Sequence, residues 1–132
     1  MKMSSPAKGF TLVEMTVVIL VLLTLVGVGL GVSGQYGKWQ LGRAAAEDLR
    51  FVYSAQRMFL SDNPTVLVED ITAADVIPYL ANRATELPTV KSLDGAIFTI
   101  DPSVSPPTVV DGSGGVYDPS GSSTDLLWDV GE

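Results

Sequence analysis

The sequence contains no cysteine and no histidine among its 132 residues. The first absence excludes disulfides and thiolate chemistry, and it leaves the redox compartment open because an exported domain can do without bridges. Together the two absences remove the commonest general bases, nucleophiles and zinc ligands. Any enzyme built on this chain would be confined to Ser/Lys or carboxylate chemistry, and no spacing in the sequence supports either. Basic side chains end at Lys91, whereas Asp94, Asp101, Asp111, Asp118, Asp125, Asp129 and Glu132 follow it. So acidic a C-terminal portion argues against nucleic-acid binding through its own surface. Charge of either sign is missing from Met15 to Gly37.

That uncharged stretch is nearly all Val, Leu, Ile and Gly as far as Val32, long enough to cross a bilayer as a helix. With 46% hydrophobic residues the composition is not that of a disordered chain. The formal net charge is -7, and setting aside Lys2 and Lys8, which precede the apolar run, leaves -9 for the remainder. Basic residues ahead of a spanning segment orient it with its N-terminus in the cytoplasm and the following domain outside. One carboxylate, Glu14, stands at the front of the apolar run. An ionised carboxylate in hydrocarbon is unfavourable by roughly 2.5–3.5 kcal/mol on insertion scales, so something must offset it.

Three readings compete for this N-terminus. A secretory signal peptide combines a basic start, a short apolar stretch and a small-residue cleavage site. Here the run is longer than usual, carries an acid, and offers only a loose cleavage match near Gly34, in the stretch Gly31 to Gln35. A plain membrane anchor leaves Glu14 without a partner. The third reading is processing ahead of the run, between Gly9 and Phe10.

At Lys8-Gly9-Phe10-Thr11-Leu12-Val13-Glu14-Met15 the sequence resembles the type IV pilins and the pseudopilins of type II secretion. The resemblance rests on a basic leader ending in Gly9, a Phe at position 10, a Glu fifth from it, and the apolar run behind. It implies that prepilin peptidase cuts after Gly9 on the cytoplasmic face and that the new N-terminal Phe10 is N-methylated. Residues 1–9 would then be a leader, 10–34 a transmembrane and filament-core helix, and 35–132 a periplasmic or extracellular head that includes the rest of the long helix. Cleavage frees an amine about one helical turn from Glu14. In the family's filaments that Glu meets the amine of a neighbouring subunit, and two buried charges neutralise each other where each alone would be unfavourable. Glu14 is thus the expected assembly residue. The implied partners are further copies of the chain, other pilin-like subunits, prepilin peptidase and an inner-membrane assembly platform. The implied location is the bacterial inner membrane, then a filament in the periplasm or at the cell surface.

Gly27, Gly29, Gly31, Gly34 and Gly37 each weaken a helix by about 0.8–1.0 kcal/mol relative to Ala. Related filaments lose helical hydrogen bonding in this stretch when subunits pack, and Gly31 stands where many members have Pro. Small residues also permit close helix packing in a membrane. Helical periodicity resumes at Tyr36 and continues to about Leu60, with Leu41, Ala45, Leu49, Val52, Gln56 and Phe59 forming one stripe. Asn63-Pro64 should stop it. Arg43, Arg50 and Arg57 recur every seven residues on another face. They form either a solvated face with Glu47 in pairing distance or a basic stripe that meets the acidic heads of adjacent subunits.

Ile71 to Asn82 opens with a capping-box pattern at Thr72 and Asp75 and predicts a short second helix, interrupted or delayed by Pro78. Gly95 to Asp101 and Pro107 to Gly112 predict two antiparallel strands. The expected class is therefore α+β: a long N-terminal helix packed against a short helix and a small antiparallel sheet. In the Gly/Ser/Asp-rich tail, Asp111, Asp118, Asp125 and Asp129 are candidate ligands for calcium, which major pseudopilins bind near the C-terminus through hard oxygen donors. Their spacing is not that of an EF-hand, and an acidic solvated loop anchored by Trp128 explains them equally. A secreted binding module with a cleaved signal peptide, and a membrane-anchored enzyme, are the readings from other functional classes.

Overall fold

The computed structural model describes Gly9 and residues 11–131. It is α+β. Helix α1 spans Leu12–Asp62, α2 spans Ala73–Val76, and two short 3-10 turns cover Val68–Asp70 and Ile77–Tyr79. Three short strands, β1 (Val90–Lys91), β2 (Ile97–Asp101) and β3 (Thr108–Val110), form an antiparallel sheet in that order. The chain divides into two compact units, Met1–Tyr36 and Gly37–Glu132.

In the first unit, α1 opens on a reciprocal cap. The Glu14 amide donates to Thr11 Oγ1 at 3.2 Å, and the Thr11 amide donates to Glu14 Oε2 at 3.4 Å. Behind it, an 18-residue window has a mean hydropathy of 2.7, and none of it is buried. The helix is long and apolar enough to cross a membrane.

In the second unit α1 buries one side. Ala45, Leu49, Val52, Ala55 and Gln56 are buried, with Leu41 and Phe59 half-buried beside them, as the stripe predicts. The core is completed by Ile71, Val76, Val90, Ile100, Val109 and Trp128. Gln56 is the polar residue of the buried stripe on α1. Its Nε2 donates to the carbonyls of Pro102 (2.7 Å) and Val104 (2.8 Å), which holds the β2–β3 connection against the helix. The end of α1 follows the expected chemistry: Asn63 returns both its amide and its Nδ2 to the Phe59 carbonyl, and Pro64 cannot continue the helix.

Two elements differ from expectation. The second helix is only four residues long. Asp75 takes the Thr72 amide at 2.9 Å and its hydroxyl at 2.8 Å, so the capping box forms, but Pro78 lacks the N–H that α-helical continuation requires and the chain tightens into a 3-10 turn. The sheet has a third strand, β1, where two were expected. A two-residue strand carries no alternation that a sequence pattern could reveal, and it exists because Ser92 to Ala96 makes a tight turn with Gly95 at φ 86°.

Rings link the layers. Phe98 meets Tyr117 edge-on at 4.8 Å, and Tyr117 meets Trp128 edge-on at 5.2 Å. The Trp128 amide donates to the Gly42 carbonyl at 3.1 Å. A Cβ at Gly42 would lie 2.9 Å from Trp128 Nε1 and 3.2–3.3 Å from Leu127. The site therefore requires glycine for close approach, not for backbone freedom. Gly42→Ala gains about 0.8–1.0 kcal/mol of helix propensity against an overpacking penalty of about 1–3 kcal/mol. Overpacking wins, so the variant melts lower, by roughly 4–8 °C for each net kcal/mol. Gly34→Ala, whose Cβ meets nothing, does not melt lower. Circular-dichroism melts of the full chain in detergent check both.

Candidate functional site

Two places in the chain concentrate groups that packing alone does not explain. The first is the start of α1. Gly9 is exposed and lies outside the helix, two residues ahead of Thr11. Phe10, the expected methylation site, lies outside the described residues, as do Lys2 and Lys8 of the expected leader. Glu14 sits on the exposed first turn, where an acid also meets the positive end of the helix macrodipole. Its bond to Thr11 is legible in the sequence as Thr-x-x-Glu, the same signature as Thr72-x-x-Asp75. A cap of this kind contributes about 0.5–2 kcal/mol, against the roughly 2.5–3.5 kcal/mol that a charged side chain costs at the centre of a spanning helix, and Glu14 lies at the first turn, where that cost is smaller. The cap satisfies backbone amides at the helix start and leaves the Glu14 carboxylate exposed.

Behind Glu14, an added Cβ at Gly27, Gly29, Gly31, Gly34 or Gly37 would meet no atom within 4 Å. All five lie within α1. Among the described residues nothing demands glycine there, in contrast to Gly42.

The arginine face settles differently from the expected pairing. The Arg43 guanidinium lies over the Trp39 ring and that of Arg57 over the Tyr53 ring, each 5.7 Å from the centroid. Among the described residues no ion pair joins Glu47 to Arg43 or Arg50. Arg50 and Arg57 are exposed and Arg43 is half-buried.

The second place is the C-terminal loop, and it separates the four candidate aspartates. Asp111 is committed to its own turn: Oδ1 accepts from the Ser113 amide (2.9 Å), the Ser113 hydroxyl (2.6 Å) and the Gly115 amide (3.0 Å). Those bonds, the Ser113 hydroxyl foremost, hold its carboxyl below the usual range. Asp118 Oδ1 accepts from the Ser120 amide and hydroxyl. The Ser120 hydroxyl also contacts the carbonyls of Ser122 and Leu127. Asp125 and Asp129 come together. Burial, then the hydrogen bond shared with Asp125, pushes Asp129 up. For Asp125, partial desolvation acts upward, but hydrogen bonds from Asp129, the Leu127 amide and Ser120 bring it down. The two carboxyls thus behave as a pair that favours holding one proton. With both carboxyls ionised Asp129 Oδ2 is buried and has no donor to accept from, and Leu126 and Trp128 adopt positive φ of 64° and 65°, a costly conformation for bulky residues. Among the described residues no three His, Cys, Asp or Glu side chains converge as a metal cluster. The loop instead offers two carboxylates, a hydroxyl and two carbonyls, the oxygen donors that suit a hard cation.

The pair has a consequence for stability. An acid whose folded pKa is raised supplies stability that is fully present below its unfolded value, about 3.9, and is lost as pH rises through the folded value. Asp125, held low, supplies the opposite: stability present above about pH 3.9 and lost on acidification. Asp129→Asn keeps an oxygen for the Leu126 amide, 3.3 Å from Asp129 Oδ1, and removes the first dependence. The variant should melt at least as high as the parent at pH 7 and show no decline from about pH 4 upward, measured as a series of thermal melts in calcium-free buffer.

Against known proteins, no family model, no curated protein and no solved structure matches this chain.

Proposed function

We propose that this chain is a structural subunit of a helical filament, either a type II secretion pseudopilus or a type IV pilus. Prepilin peptidase cleaves it after Gly9, Phe10 is methylated, and the apolar front of α1 holds it in the bacterial inner membrane until extraction into the fibre. The observation that carries this reading is that front segment: wholly exposed, apolar through an 18-residue window, and headed by a single carboxylate. The cap satisfies backbone amides but does not neutralise that carboxylate, and a cationic amine created by cleavage does. The cap also survives cleavage, because Thr11 and Glu14 both lie beyond the cut. The five glycines fit the same reading, since neighbours supplied by assembly give them a reason that the single chain does not. The work of such a subunit is mechanical, with no catalytic step. Its partners are copies of itself, other pilin-like subunits, the peptidase and the inner-membrane assembly platform.

Within this reading calcium binds the C-terminal loop between Asp125 and Asp129, where a buried carboxylate oxygen lacks a partner. Bound there, the ion supplies charge neutralisation for the pair and ties residues 122–129 to the head.

Intact mass of the processed chain tests the assignment directly. The expected product starts at methylated Phe10; a start near Gly34 would establish the secreted-module alternative, and retention of Met1 or Lys2 an uncut anchor. Glu14→Gln should leave the head folded and reduce filament number at least tenfold by electron microscopy, and normal fibres would overturn the role given to Glu14. Millimolar calcium should raise the melting midpoint of the parent and leave that of Asp129→Asn unmoved.

A further inference from the structure

The second unit opens on side chains that its core does not use. Lys38 is the first charged residue after Glu14, and the 23 residues between them, Met15 to Gly37, carry no charge. The hydrocarbon core of a bilayer takes about 20 residues of helix, with a range of about 17–25. A spanning stretch of that length ends where Lys38 and Trp39 begin, so these residues enter the headgroup layer. Trp39 is 47% exposed, whereas Trp128, the other tryptophan of the chain, is 4% exposed. One turn beyond Trp39, the Arg43 guanidinium lies over its ring, 5.7 Å from the centroid. Among the described residues no carboxylate pairs with Arg43.

Tryptophan collects at membrane boundaries because its ring is apolar and its N–H is polar. A guanidinium held over that ring still carries five N–H donors in one plane, the fork that takes a phosphate bidentately. The acids nearby lie further along α1 or on another side of it. Glu47 and Asp48 follow Arg43 by about 6–7.5 Å of helical rise. Asp125 and Asp129 belong to the loop that closes on Gly42, about 100° round the helix from Arg43. From this placement we infer that Trp39 and Arg43 form a binding site for the headgroup of an anionic phospholipid. The indole sits at the boundary of the acyl chains, and the guanidinium it steadies takes the lipid phosphate. The inference uses only the membrane-spanning part of the proposed function and is independent of the filament.

The chain contains its own control. Arg57 lies over the Tyr53 ring at the same 5.7 Å, with the same spacing of four residues. It stands 14 residues beyond Arg43, about 21 Å along the axis, or twice the Debye length at 0.1 M salt. The local geometry is repeated where headgroups do not reach.

Fluorescence of the full-length chain in vesicles of phosphatidylcholine and phosphatidylglycerol tests the site. Bromine near the headgroup end of the acyl chains quenches a neighbouring indole, and two preparations carry it on one lipid or on the other. Trp39→Phe supplies the Trp128 background. Phosphatidylglycerol should be enriched beside Trp39 at least fivefold over its share of the vesicle. Arg43→Gln should lower that enrichment about fivefold, the worth of one charge beside an anionic surface. Arg43→Lys should keep most of it, and Arg57→Gln should leave it unchanged. Raising salt to about 1 M should remove it in the parent itself, a readout that needs no variant. An Arg57 variant that loses as much as the Arg43 variant overturns the inference, as does an enrichment abolished by millimolar inorganic phosphate, which would mark a free-anion site. A parent that floats with the vesicles on a density gradient without enrichment removes the inference alone; one that does not float removes the membrane-spanning reading with it.

Discussion

A helix that is apolar on every side has no stable home in water, and the front of α1 is such a helix. Its 18-residue window finds no cover among the described residues, so any cover must come from outside them, and the segment is long and apolar enough for a bilayer to supply it. At about 25 cal/mol for each Å² of apolar surface, leaving a segment of this kind in water is far more unfavourable than the few kcal/mol at stake in any single polar group nearby. The environment is therefore decided by the apolar surface, and Glu14 must be accommodated within whatever environment results. Its bond to Thr11 satisfies backbone amides at the helix start; it does not neutralise the charge. A cation made by cleavage would.

The glycines divide along the same helix by what surrounds them. Gly42 has a reason in the structure, because the indole and amide of Trp128 close onto it and a methyl group has no room. From Gly27 to Gly37 there is room at every position, yet the sequence forgoes about 0.8–1.0 kcal/mol of helix stability at each. Close helix approach and a soft backbone are the two properties that glycine gives such a stretch.

The long helix, its capping residues at the far end and the buried stripe were legible because each repeats a local rule over many residues: a 3.6-residue period, then Asn-Pro as a stop. The short elements were not. β1 has two residues, and α2 is ended by Pro78 after one turn, so tertiary contacts rather than pattern decide them. Gln56 fell correctly on the buried stripe, but its polarity gave no sign of the two carbonyls, of Pro102 and Val104, that it would find 46 and 48 residues away. The aspartate-rich tail was legible as acidic and illegible as geometry. Which carboxyls pair depends on the turns at Ser120, Leu126 and Trp128, and positive φ at a Leu and a Trp is not something sequence rules anticipate.

Arg50 and Arg57 lie exposed on α1, and the acids are spread over many elements, from Glu47 and Asp48 on the same helix to Asp101 in β2 and the C-terminal loop. A net charge of -7 makes copies of the chain repel at low salt. Salt then becomes a diagnostic. Repulsion between exposed charges weakens as the Debye length shrinks from about 10 Å at 0.1 M to about 3 Å at 1 M, whereas the burial of apolar helix surface does not. An assembly held by the front of α1 therefore keeps its length in salt.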